Sequence, residues 1–93
     1  DNSLLKEAYF PNLLSCGNGF LKHCKNLKIL NISNLIYFFD DYLLDCTKLE
    51  LLEIKNKIYN SFIYGNSAIR NRVIDKKERK AKKIEKKLVV VRK

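Results

Sequence analysis

The sequence predicts an α/β fold: a short solenoid of three 22-residue repeats followed by a basic C-terminal helix. Three observations carry this expectation. Apolar residues recur in fixed columns 22 positions apart, from Leu5 onward. Within each copy, two of them are spaced by two and followed by an asparagine, as on one face of a strand that ends in a turn. The net charge of +9 is confined to the last quarter of the chain, which places a boundary near residue 69. The alternative is a small all-α bundle, because residues 35–62 also read as amphipathic helices.

The first copy holds Leu5, Ala8, Phe10 and Asn12, the second Leu27, Leu30, Ile32 and Asn34, and the third Leu49, Leu52, Ile54 and Asn56. Further columns agree: Leu14, Ile36 and Ile58; Phe20, Tyr42 and Tyr64; Cys24, Cys46 and Ala68. The column of Leu13 and Leu35 breaks at Lys57, and a fourth copy beginning at Asn71 fails, with Ile74 and Lys76 in the next slots. A return path must join each strand to the next. In residues 35–46, Leu35, Phe38, Phe39, Tyr42, Leu43 and Cys46 lie at three- and four-residue steps, which predicts one helical face. Residues 13–24 form a looser copy opened by Gly17 and Gly19. No copy can bury its apolar face alone, whereas stacked copies can.

The form Phe-x-x-x-Cys-x-x-Leu-x-x-Leu-x-Ile-x-Asn, from Phe20 to Asn34 and again from Tyr42 to Asn56, resembles leucine-rich repeats of the BspA-like subclass. Ala8-Tyr9-Phe10-Pro11-Asn12 is similar to that subclass too, whose strands often end in Pro-Asn. A second resemblance is to the cysteine-containing leucine-rich repeats of F-box-type receptors, though these usually run to about 26 residues. The resemblance covers residues 4–68 and implies a leucine-rich-repeat solenoid that binds partners on its strand face. The domains expected are thus a repeat stack over 1–68 and a basic helical or partly disordered tail over 69–93. The chain starts at Asp1 and contains no Met, so it is expected to be a processed product or a fragment of a longer array.

Chemistry is sparse in this sequence, and no enzymatic activity is expected. His23, the single histidine, adjoins Cys24, but sequence neighbours point to different faces, and a nucleophile pair needs hydrogen-bond reach. Asp40, Asp41 and Asp45 lack the glycine and alternating oxygen ligands of a calcium loop. Gly17-Asn18-Gly19 has no following Gly-Lys-Ser/Thr and reads as a turn rather than a phosphate loop. The three cysteines, Cys16, Cys24 and Cys46, are odd in number, match no common zinc spacing, and read as small buried side chains. Asn31-Ile32-Ser33 fits a glycosylation acceptor but falls within a strand. No cofactor, metal or small-molecule substrate is expected. No run approaches the roughly 18 apolar residues of a membrane span, and nothing sets the compartment.

Two surfaces remain as candidates. The first is the strand face turned away from the core, with Tyr9 from the first copy, Ile29, Asn31 and Ser33 from the second, and Leu51, Glu53 and Lys55 from the third. Aliphatic neighbours on a neutral segment suggest another protein as the partner, unless a further stretch of chain covers them. The segment is neutral because residues 1–69 balance seven Lys against seven acids. The second surface is the tail, where twelve Lys or Arg face three acids. There Lys76, Lys77, Arg79, Lys80, Lys82, Lys83, Lys86 and Lys87 surround the thin apolar stripe Ile74, Ala81, Ile84 and Leu88. Such a helix suits nucleic-acid phosphates or an anionic membrane surface, although no aromatic residue follows Tyr64 to stack on bases. Val89-Val90-Val91 reads as a strand that continues beyond this sequence or pairs with a partner.

Overall fold

The computed structural model describes residues 3–73 and 87–93. Strands β1 (Glu7–Tyr9), β2 (Ile29–Ile32), β3 (Leu51–Ile54) and β4 (Val89–Arg92) form one parallel sheet in that order. The fold is therefore α/β, and the all-α bundle is excluded. The register sets residues 22 apart side by side: Ala8 beside Leu30, Leu30 beside Leu52, and Ile32 beside Ile54. The alternation is the one read in the sequence. Leu30, Ile32, Leu52 and Ile54 are fully buried, as are Leu27 and Leu49, which turn inward on the approach to their strands. Each such side chain contributes about 1.5–3 kcal/mol relative to exposure.

β4 corrects the reading of the tail. Val89–Arg92 pairs inside this chain, with Val90 beside Leu52, 38 residues on rather than 22. The valines favour a strand through their branched side chains, and alternate backbone groups bond to β3, with Val89 N donating to Glu50 O (2.9 Å) and Lys93 N to Ile54 O (2.8 Å). Ile69 and Leu88, both past the expected boundary, belong to the same buried cluster as the first copies. Of the basic helix expected from residue 69, positions 74–86 lie outside the described residues.

The expected helical return over 35–46 is not formed. In its place, left-handed backbone recurs in the same columns of two copies: Gly19 (φ 72°) and Asp41 (61°), Leu21 (54°) and Leu43 (55°), His23 (62°) and Asp45 (66°). A right-handed helix cannot pass through these positions. The backbone groups are paired across copies instead. Cys16 N donates to Tyr37 O (3.1 Å), Gly19 N to Asp40 O (3.0 Å), Leu43 N to Phe20 O (2.8 Å) and His23 N to Leu44 O (2.7 Å). Of the predicted helical face, Leu35, Tyr42, Leu43 and Cys46 are buried and Phe38 packs against the core, but Phe39 is 59 % exposed.

The third return is helical: a 3-10 turn (Asn56–Ile58) leads into α1 (Tyr59–Tyr64) and α2 (Ser67–Arg70). Asn66 caps α2 by accepting from Ala68 N (3.1 Å) and Ile69 N (3.2 Å). Phe62, fully buried, stacks on Tyr42 with centroids 4.3 Å apart and meets Phe38 edge-on at 5.0 Å. Tyr42 Oη donates to Phe62 O, and Asn66 Nδ2 donates to Tyr42 O (2.8 Å). A methyl group at Gly65 would stand 2.5 Å from Tyr42 Oη and 2.8 Å from Ser61 O, so only glycine fits this crossing. Two expected columns fail here, because Tyr64 and Ala68 are both exposed.

Candidate partner-binding face

Parallel register assembles the outer face of the sheet row by row. The first row is Glu7, Ile29, Leu51 and Val89; the second is Tyr9, Asn31, Glu53 and Val91. All seven residues expected on this face are at least partly accessible, with Tyr9 exposed and Ile29, Asn31, Ser33, Leu51, Glu53 and Lys55 half-buried. Val89 and Val91 were missed, and β4 adds both to the face. The aliphatic pair Ile29 and Leu51 is thereby extended into a row of three, and Val89 is 47 % exposed. Adjacent strands lie about 4.8 Å apart, so the row runs across the sheet at close spacing.

Polar groups border this row. Tyr9 Oη donates to Glu7 Oε1 (2.8 Å). That bond to the carboxylate, with smaller effects of desolvation and of the charges on Glu7 and Glu53, holds the Tyr9 phenol above its ordinary range. Asn31 Oδ1 accepts from Ser33 N (3.0 Å), so its amide shapes the turn after β2 rather than standing free in the row. The Asn column ties neighbouring copies: Asn34 Nδ2 donates to Pro11 O (2.5 Å), and Asn56 Oδ1 accepts from Arg92 Nε (2.7 Å). The Arg92 guanidinium also lies over the Tyr59 ring, 4.0 Å from its centroid.

The other candidates separate. Cys24 is buried, while His23 Nδ1 stands 3.2 Å from Asp45 Oδ2, 22 residues on, at the surface. Asp40 N donates to Asn18 Oδ1 (3.1 Å). Among the described residues, no three His, Cys, Asp or Glu side chains are placed to hold a metal ion together. Cys46 Sγ donates to Leu21 O (3.0 Å), and burial pushes its thiol up to about 11. A cleft of about 270 Å³ opens beside Cys46, between Leu43, Leu44, Ala68, Ile69 and Arg72. The Arg72 guanidinium caps Cys46 O (3.4 Å) and Leu49 O, and its desolvation lowers its pKa. Of the tail cations, Lys87 is half-buried; Lys76, Lys77, Arg79, Lys80, Lys82, Lys83 and Lys86 lie outside the described residues.

No family model matches the chain, and neither a curated protein nor a solved structure is significantly similar to it.

Proposed function

We propose that the chain is a short leucine-rich-type repeat solenoid that recognises another protein, without catalysis, through the outer face of its parallel sheet. The observation that supports this reading best is the row Ile29, Leu51 and Val89, three aliphatic side chains set side by side on a surface. An accessible apolar row bordered by polar groups is the composition of a protein contact rather than of a phosphate-binding surface. Glu7 and Glu53 border it and have no ion pair among the described residues, which favours a partner segment that brings apolar side chains together with Lys or Arg. The BspA-like resemblance points the same way.

The second reading is a nucleic-acid or anionic-membrane contact through the Lys/Arg-rich tail, favoured by the placement of all the excess charge in residues 70–93. Capture experiments with immobilised protein separate the two. Ile29→Glu with Leu51→Glu should lose the captured protein, with little effect of salt on the wild type. Replacing Lys80, Lys82, Lys83 and Lys86 by Gln should leave capture intact. Loss in the tail variant alone, with affinity falling steeply as salt rises, would establish the phosphate reading instead.

A further inference from the structure

We propose that Cys24 and Cys46 form a site of reversible oxidation, at which a small peroxide closes an intrachain disulfide that ties the second copy to the third. The proposal concerns the buried ends of the first two returns and is independent of what binds the outer face of the sheet.

The repeat brings the two residues together. Cys24 and Cys46 share one column, 22 residues apart, at the ends of the two returns with matching left-handed backbone. The bonds that join these returns run right up to the cysteines. Leu43 N donates to Phe20 O (2.8 Å) and His23 N to Leu44 O (2.7 Å), while His23 Nδ1 stands 3.2 Å from Asp45 Oδ2. Chains in parallel register lie about 4.8 Å apart, inside the roughly 4.4–6.8 Å between Cα atoms that a disulfide spans.

The Cys46 side chain leans toward its partner. Its Sγ donates to Leu21 O (3.0 Å), the same oxygen that accepts from Cys24 N (3.4 Å). Burial pushes the Cys46 thiol up to about 11, and the Cys24 N–H, which faces the sulfur, pulls against that rise. The sulfur of one cysteine therefore lies against the backbone of the other. Both are free and buried. On closure Leu21 O gives up the thiol but keeps the Cys24 N–H, so no buried carbonyl is stranded. Cys16 is placed differently. The next copy puts Phe38 in its column, its N donates to Tyr37 O (3.1 Å), and the Phe39 N–H faces its sulfur.

The cleft of about 270 Å³ lined by Leu43, Leu44, Ala68, Ile69 and Arg72 opens on Cys46 and has room for hydrogen peroxide. The Cys46 thiolate attacks one peroxide oxygen. An S–O bond forms, the O–O bond breaks, and the departing hydroxide takes up the proton shed by the thiol, leaving as water. The Cys24 sulfur then attacks the sulfenic sulfur. An S–S bond forms, the S–O bond breaks, and a second water carries off the Cys24 proton. The two sulfurs lose two electrons and the peroxide gains them. Thiolate is scarce at neutral pH in so buried a group, so the first step is slow and the bridge acts as a latch.

Peptide mapping tests this. The reduced, folded chain is treated with hydrogen peroxide, its remaining thiols are alkylated, and it is cleaved with trypsin without reduction. The bridge should join His23–Lys25 to Ile29–Lys48, with the alkyl group on Cys16 in Glu7–Lys22. Chain entropy alone favours the shorter loop from Cys16 to Cys24, so selection of the longer one reports the fold. The bridged monomer should melt about 10 °C or more above the reduced one, and dithiothreitol should reverse the shift. Cys16→Ser should bridge as the wild type does, and Cys24→Ser should not. A folded wild type that links Cys16 to Cys24 would overturn the proposal. So would bridges formed only between chains, or thiols that stay alkylatable or pass to sulfinic acid without a bridge.

Discussion

The first two return segments and the third occupy equivalent places between strands, yet they are built differently. Residues 13–24 and 35–46 run through paired left-handed positions, and their backbone groups are bonded to one another across 22 residues. Residues 56–70 coil into a 3-10 turn and two short helices bonded within themselves. The difference follows from neighbours. A return flanked by another of its kind can satisfy its N–H and C=O groups sideways. The third return, with no neighbour of its kind among the described residues, satisfies them locally, which is what a helix does. Phe62 then covers Tyr42, and the Arg72 guanidinium caps Cys46 O and Leu49 O.

Removing the helical cap should be the most damaging change. Phe62→Ala takes away a fully buried ring in contact with Tyr42 and Phe38. It should cost about 3–5 kcal/mol in urea unfolding, a large share of the stability of so small a domain. A cost under about 1 kcal/mol would mean that the third return does not close the core.

The turn-built returns can be probed at Asp41, exposed and left-handed (φ 61°). Asp41→Val should destabilise by about 1–2 kcal/mol, because a β-branched residue is strained there. Asp41→Gly should leave stability within about 0.5 kcal/mol. In a helix the order would reverse, with glycine the more costly of the two.

The smallest effect is alkaline. Burial raises the Cys46 thiol from an ordinary 9.0 to about 11 and the Tyr42 phenol from 10.0 to about 12. In the unfolded chain both lose their protons earlier, so their contribution is complete below pH 9 and is lost as pH climbs through 11 and 12. Unfolding midpoints should be insensitive to these groups near neutrality and decline above pH 9. Tyr42→Phe should remove the part of that decline that belongs to the phenol.

The sequence made β2 and β3 legible because their period of two and their 22-residue columns agree, and one-sided burial allows only one register. It made most of the outer face legible for the same reason. β4 was read as a strand but not placed, because Lys87, Val90 and Arg92 stand where other copies carry Leu, Leu and Ile, and because the spacing lengthens to 38. Val89 and Val91 were lost from the face with it. The returns misled for a different reason. Steps of three and four at Leu35, Phe38, Tyr42 and Cys46 fit a helix and a turning chain equally well. Only Gly19 signals left-handed backbone; the other left-handed positions are Leu21, His23, Asp41, Leu43 and Asp45, of which leucine in particular gives no warning.

The central claim is that residues 22 apart lie side by side, with non-helical returns between them. Nuclear Overhauser contacts in an isotope-labelled sample test it directly. The account predicts contacts between Leu30 and Leu52, between Leu52 and Val90, and between Ser15 and Tyr37, with no sequential i to i+3 pattern over 35–46. A continuous i to i+3 pattern through 35–46, without those long-range pairs, would contradict it.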